Sequence, residues 1–174
     1  MKRAVLVLSC ALSSLWGVPA AHAVDGVTVQ LGESSESTTT YRISAQFEFG
    51  RTLWQSAGGG VNLNGYWDAG VTHWSGLEAT SLTLTPMFRL NFATTEGGMT
   101  PFVEAGIGAS YFTKTELDST DLGSKFQFED RVGAGLRFNG GSEIGVRYFH
   151  YSNAGIKKPN NGMEMGALYY RHAF

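Results

Sequence analysis

The chain has 174 residues, with 13 Lys+Arg against 15 Asp+Glu, four His and one Cys. That length suits a single domain. One cysteine excludes a disulfide framework or a cysteine metal site, and the slight acidic balance lacks the basic face of a nucleic-acid binder.

Lys2 and Arg3 open the chain, Ala4 to Trp16 is largely apolar, and Ala21-His22-Ala23 is a small-x-small cleavage site, so residues 1–23 read as a signal peptide. The apolar run is too short and too interrupted by Ser for a membrane-spanning helix. Cys10 lies inside it, with too few residues before it for a lipoprotein export signal. Removing Lys2 and Arg3 leaves eleven Lys+Arg against fifteen Asp+Glu, a net charge of −4 for the mature chain 24–174.

From there the pattern is alternation rather than helical periodicity. Val27–Leu31 begins the series. In Tyr41–Gly50 the odd positions Tyr41, Ile43, Ala45, Phe47 and Phe49 oppose Arg42, Ser44, Gln46 and Glu48. Val61–Trp74 alternates more weakly. Leu82, Leu84, Phe88, Leu90 and Phe92 then oppose Ser81, Thr83, Thr85, Arg89 and Asn91. Pro101–Thr113 is weaker again. Phe126, Phe128, Val132, Ala134, Leu136 and Phe138 form a stripe broken by Asp130, and Ser142–Ser152 and Gly162–Phe174 complete the set. Eight such segments, joined by Gly-, Asn- or Ser-bearing turns such as Asn139-Gly140-Gly141, predict an all-β fold, an eight-stranded antiparallel up-and-down barrel whose closure removes exposed edges.

Alternation alone does not say which face points inward. A soluble lipid-binding barrel would enclose its apolar face, whereas an outer-membrane barrel turns it to lipid. The membrane reading is favoured by the export signal and by the terminal Phe174, which resembles the last aromatic of outer-membrane barrels. Trp54, Trp74, Tyr111, Phe112, Tyr148 and Tyr151 lie near predicted strand ends, where an interfacial girdle belongs. The polar face also carries matched charges, Glu48, Asp68, Glu104, Glu129 and Glu143 against Arg42, Arg89, Arg131, Arg137 and Arg147, with Lys125 extra. A narrow lumen requires such matching. The apolar outer face serves lipid or a second copy of the chain, a homodimer, equally well.

The residues that suggest chemistry lie near the C-terminus. Ile144, Val146 and Tyr148 form an apolar stripe leading into His150 and Ser152, which share that face with Cα atoms about 6.5–7 Å apart. If the following hairpin is symmetric about Lys157, Glu164 falls opposite His150 and Gly162 opposite Ser152. With both termini periplasmic, the seventh strand ends outside the cell, and these residues reach the outer leaflet, where lipopolysaccharide displays its lipid A. Ser152 as nucleophile, His150 as base and Glu164 as orienting acid make an ester-hydrolase triad. Asn153 and backbone N–H groups of the Asn153–Gly162 loop are candidate oxyanion donors. The bland alternative is an interfacial His beside a solvated Ser on a non-catalytic structural or adhesion barrel, which would be expected to work through long outer loops; here the predicted outer loops are short, and the most elaborate is Asn153–Gly162. His73 and His172 have no acidic or Cys partners at metal-ligand spacing. Gly106, Gly108, Gly133 and Gly135 fall inside strands, where they permit bends or close packing. Lys157 and Lys158 are solvated loop residues or contacts for lipid phosphates.

These segments resemble the PagL-type lipid A 3-O-deacylases. The likeness is carried by His150-Tyr151-Ser152-Asn153-Ala154-Gly155, Pro159-Asn160, Gly162 and Glu164, and upstream by Gly65-Tyr66-Trp67-Asp68-Ala69-Gly70, Pro101-Phe102-Val103-Glu104-Ala105-Gly106-Ile107-Gly108 and Phe128-Glu129-Asp130-Arg131. The resemblance implies an eight-stranded outer-membrane enzyme that removes the ester-linked 3-hydroxyacyl chain at position 3 of lipid A. It implies Ser152 as nucleophile, His150 as base and Glu164 as orienting acid, with Asn153 and Asn160 as oxyanion or site-shaping residues, and no metal or cofactor. His172, third from the end, departs from the apolar residue usual in the insertion signal.

Overall fold

The computed structural model describes residues 24–174; the signal segment read from residues 1–23, including Cys10, lies outside the described residues. Eight long strands follow in order: β1 Gly26–Ser34, β2 Thr39–Glu48, β3 Asn62–Trp74, β4 Ala79–Asn91, β5 Thr100–Phe112, β6 Phe126–Arg137, β7 Glu143–Ser152 and β8 Met163–Ala173. Each pairs antiparallel with its sequence neighbours. β8 returns to β1, from Gly26 opposite Ala173 to Ser34 opposite Met165, and closes an up-and-down transmembrane barrel. Every long strand therefore has a partner on both sides, so no ladder edge is left open. The predicted segments coincide with these strands, although the first is longer than Val27–Leu31.

The polar faces turn inward. Ile107 is 60% and Leu168 66% exposed on the outside, while Arg42, Asp68, Arg89, Glu104, Glu129, Arg131, Glu143 and Arg147 are all buried. A soluble barrel with an apolar cavity has the opposite arrangement. In the lumen, Asp68 accepts from Arg42 (2.6 Å) and Arg131 (3.0 Å), and Glu129 pairs with Arg131. Glu104 takes Arg89 (2.9 Å), Arg147 (2.7 Å) and the Tyr66 hydroxyl (2.7 Å). Glu143 binds Arg89, Arg137 and Arg171, and Arg171 also reaches Glu48. Each carboxylate is shared among several donors, the arrangement that makes a buried charge tolerable. Arg171 is a member of this network that alternation in the last segment did not flag. Gly135 and Gly145 give the Tyr169 ring its place, since a Cβ at Gly145 would come within 2.7 Å of it.

At the end of the barrel that carries the β1–β2, β3–β4, β5–β6 and β7–β8 loops, the interior changes character. Trp74, Phe112, Tyr151, Phe149, Met163 and Met165 pack with Leu117 and Leu122 into an apolar plug. Trp74, Phe112 and Tyr151 meet at centroid distances of 5.3–5.6 Å. This corrects the expectation that these three belong to an outer girdle: their parity puts them inside, whereas Trp54, Tyr111 and Tyr148 are exposed. Lys125 also departs from expectation. It precedes β6, is exposed, and lies 6.0 Å from the Tyr111 ring rather than in the lumen. The Asn153–Gly162 loop is not the most elaborate connection either: Thr113–Lys125 is longer and folds its own ribbon, Glu116–Leu117 against Thr120–Asp121. Its Leu117 and Leu122 drop into the plug, which ties that loop down.

Candidate active site

Inward Glu143, Arg147, Phe149 and Tyr151 of β7 alternate with outward Ile144, Val146, Tyr148, His150 and Ser152. The inward set is anchored by lumen ion pairs and plug packing, which leaves the outward set no choice of face. β7 and β8 pair with His150 opposite Glu164, the register that symmetry about Lys157 requires. His150 Nδ1 and Glu164 Oε1 are 3.1 Å apart, and their side chains are 39% and 44% exposed. Nδ1 is the donor if the imidazole is neutral and the carboxylate ionised. Glu164 is held from the β1–β2 turn as well: its N–H donates to Ser35 Oγ (3.3 Å) and its carbonyl accepts from Ser35 N–H (3.0 Å).

On the other side of His150 the register partner is Asp130 of β6, the residue that interrupts the apolar stripe. Two carboxylate residues thus flank one histidine, but only Glu164 bonds to it. Ser152 lies two residues from His150 on the same outward face, opposite Phe128. Among the described residues His150 bonds to Glu164 and not to Ser152; nucleophile–base contacts commonly tighten only with substrate.

The loop after Ser152 is rigidly specified. Asn153 carbonyl accepts from Ile156 N–H (3.0 Å), with Ala154 at φ 52° and Gly155 at φ 77°, the backbone of a type I′ turn. The buried Asn153 amide donates to Leu122 O (2.8 Å) and Lys157 O (2.9 Å). Its own N–H donates to Asn160 Oδ1 (2.8 Å). Asn153 therefore has its donors committed within the loops, to the Leu122 and Lys157 carbonyls and to Asn160 Oδ1. The Ala154 and Gly155 N–H groups and Asn160 Nδ2 take part in none of the hydrogen bonds among the described residues. Gly162 has φ 73°, and a Cβ there would come within 3.2 Å of His150 Cε1.

The neighbouring loops buttress this one. Glu36, in the β1–β2 turn, accepts from Ser119 Oγ (2.6 Å) and Thr120 Oγ1 (2.6 Å) across the barrel mouth. The Ser119 hydrogen bond, followed by that of Thr120, holds the Glu36 carboxyl below its usual pKa. Lys157 and Lys158 are exposed on the same rim, and His73 and His172 lie on separate strands facing outward.

The family model for lipid A 3-O-deacylase (PagL) matches residues 39–173. The chain belongs to this family. It is 42% identical over 170 residues to the lipid A deacylase PagL of Pseudomonas aeruginosa, covering 95% of each chain. It is 45% identical over 73 residues to the lipid A deacylase PagL of Bordetella bronchiseptica, covering 42% of this chain and 41% of that one. The crystal structure of the outer membrane enzyme PagL superposes with a TM-score of 0.79 at 41% identity, over 86% of this chain and 99% of that chain. Family membership and barrel architecture thus agree with the sequence reading. Asp130 beside His150, the Ser35 clamp on Glu164 and the inner commitments of Asn153 are what that reading missed. Asp130 had left a signal, a carboxylate within an apolar stripe.

Proposed function

We propose that this protein is a lipid A deacylase of the outer membrane that hydrolyses the ester-linked 3-hydroxyacyl chain at position 3. The observation that carries the proposal is the Glu164–His150 hydrogen bond with Ser152 on the same outward face, at the rim of an apolar belt. A water-soluble substrate has no reason to meet a nucleophile there, whereas an ester at the top of the outer leaflet does. Family membership and the name of the 42%-identical relative support the same substrate class.

Ser152 Oγ attacks the ester carbonyl while His150 Nε2 takes its proton, and Glu164 holds Nδ1–H and stabilises the imidazolium. The oxyanion is received by Ala154 and Gly155 N–H groups and by Asn160 Nδ2, the donors left unused around the turn. The imidazolium then protonates the departing sugar oxygen. Water, activated by His150, releases the 3-hydroxy fatty acid from the acyl-serine. Asn153 shapes the loop. Residues 1–23 direct export and are removed, and both termini face the periplasm.

The test is purified protein in detergent, incubated with lipid A and assayed for free 3-hydroxy fatty acid. Wild type releases it, and His150→Asn, folded by heat-modifiable gel mobility, does not. Release by His150→Asn at the wild-type rate would refute the role of His150.

A further inference from the structure

We propose that the end of the barrel carrying both termini holds a binding site for a phosphate group beside Arg137. The first observation is one of charge. Under the plug, where they lie against the Phe149 ring, Arg42 and Arg131 balance Asp68 and Glu129. In the other half of the lumen four guanidiniums, of Arg89, Arg137, Arg147 and Arg171, share three carboxylates, of Glu48, Glu104 and Glu143. Asp25, the next carboxylate, accepts from the Glu48 N–H (2.8 Å) and pairs with none of these arginines. A guanidinium does not shed its proton, so a surplus in the interior is relieved only by water or by an anion.

The surplus has an outlet at Arg137, which ends β6 with its side chain 28% exposed. It bonds to Glu143 through Nε alone (2.8 Å), so among the described residues both Nη groups are unengaged. Arg137 lines a cavity of about 420 Å³ together with Gly58, Gly60, Asn62, Asn91 and Thr100. The Gly58 and Gly60 N–H groups take part in none of the hydrogen bonds among the described residues. Gly59, at φ 71°, puts a left-handed residue between them, and turns of that kind gather N–H groups around an anion. Asn91 has the opposite character. It is 2% exposed and donates through Nδ2 to Asn62 (3.0 Å) and Asn64 (3.2 Å), while its Oδ1 has no partner. The site thus combines a positive charge, several donors and one buried acceptor. A carboxylate only accepts, whereas hydrogen phosphate and glycerol phosphates also carry hydroxyls, and guanidinium pairs with phosphate through two parallel bonds. In the orientation proposed above, this mouth opens at the periplasmic surface, where the phosphate belongs to a lipid headgroup or to a free phosphate ester.

Arg137→Gln, Gly60→Asp and the isosteric Gly60→Asn test the site. A Cβ at Gly60 meets only Ala93, at 3.8 Å, so both replacements fit. Protein refolded into a maltoside detergent, free of phospholipid, is titrated calorimetrically with inorganic phosphate. Wild type should bind, Arg137→Gln should bind about 10- to 100-fold more weakly, and Gly60→Asp should bind more weakly than Gly60→Asn. In phosphate-free buffer Arg137→Gln should lose heat-modifiable gel mobility at the wild-type temperature or above, because its guanidiniums and carboxylates then balance and Glu143 keeps Arg89 and Arg171. In phosphatidylglycerol nanodiscs, loss of phosphate binding by wild type identifies a lipid headgroup as the occupant, and unchanged binding identifies a free phosphate ester. No binding by wild type in detergent, equal binding by Arg137→Gln, or a lowered unfolding temperature of Arg137→Gln without phosphate overturns the site and leaves the deacylase reading standing.

Discussion

Gly162→Ala separates backbone strain from the geometry of the triad. Gly162 adopts φ 73°, where an L side chain costs about 1–2 kcal/mol. Its Cβ would also lie 3.2 Å from His150 Cε1, tight enough to move the imidazole by a few tenths of an ångström. If 1 Å of misplacement costs about 100-fold, that movement predicts a loss of deacylation of about three- to tenfold. Gly50→Ala is the matched control: φ is 67°, nothing lies within 4 Å, and the turn is at the opposite end of the barrel. Both variants should lose similar stability, read as the temperature at which heat-modifiable gel mobility is lost. Only Gly162→Ala should lose turnover, measured as fatty acid released from lipid A. Equal activity in the two variants would refute the claim that Gly162 leaves room for the imidazole.

Glu164→Gln should reduce deacylation by two orders of magnitude or more, by analogy with removing the orienting acid of other triads. Asp130→Asn should cost less than tenfold, because Asp130 flanks His150 without bonding to it; the reverse order in a rate assay would reassign the orienting acid. Glu104→Gln leaves Arg89 and Arg147 without a shared counter-charge and should lower barrel stability by about 3–5 kcal/mol, measured by urea unfolding in detergent. The Glu36 carboxyl has its pKa lowered by Ser119 and Thr120, so its tether on the Thr113–Lys125 loop holds above the ordinary carboxylate value near 4.5 and is lost as pH falls through the lower folded value. Acid should therefore raise proteolysis within that loop, and Glu36→Gln should show the raised cleavage at neutral pH.

Strands, faces and the β7–β8 register were readable because each rests on local pattern. Period-2 alternation fixed which residues share a face, and the symmetric hairpin about Lys157 put Glu164 opposite His150. Where expectation failed, the deciding contacts were non-local. Trp74, Phe112 and Tyr151 look like girdle aromatics by position along their strands, but strand parity turns them into the plug. Leu117 and Leu122 carry no alternating signal, and only the folded plug explains why the β5–β6 loop is ordered beside the site. The partners of Asn153 were likewise hidden, because its amide bonds to the Leu122 and Lys157 carbonyls, one of them from another loop. Arg171 was hidden because its partners, Glu143 and Glu48, lie on two other strands.

The central claim is that Ser152, facing lipid at the barrel rim, cleaves an acyl ester of lipid A. It is tested most directly by mass spectrometry of lipid A from a Gram-negative host expressing wild type or Ser152→Ala, with both barrels verified as folded in the outer membrane. The account predicts that one 3-hydroxyacyl chain is missing with wild type and retained with Ser152→Ala. Lipid A that loses the chain equally in both strains, or in neither, would contradict it.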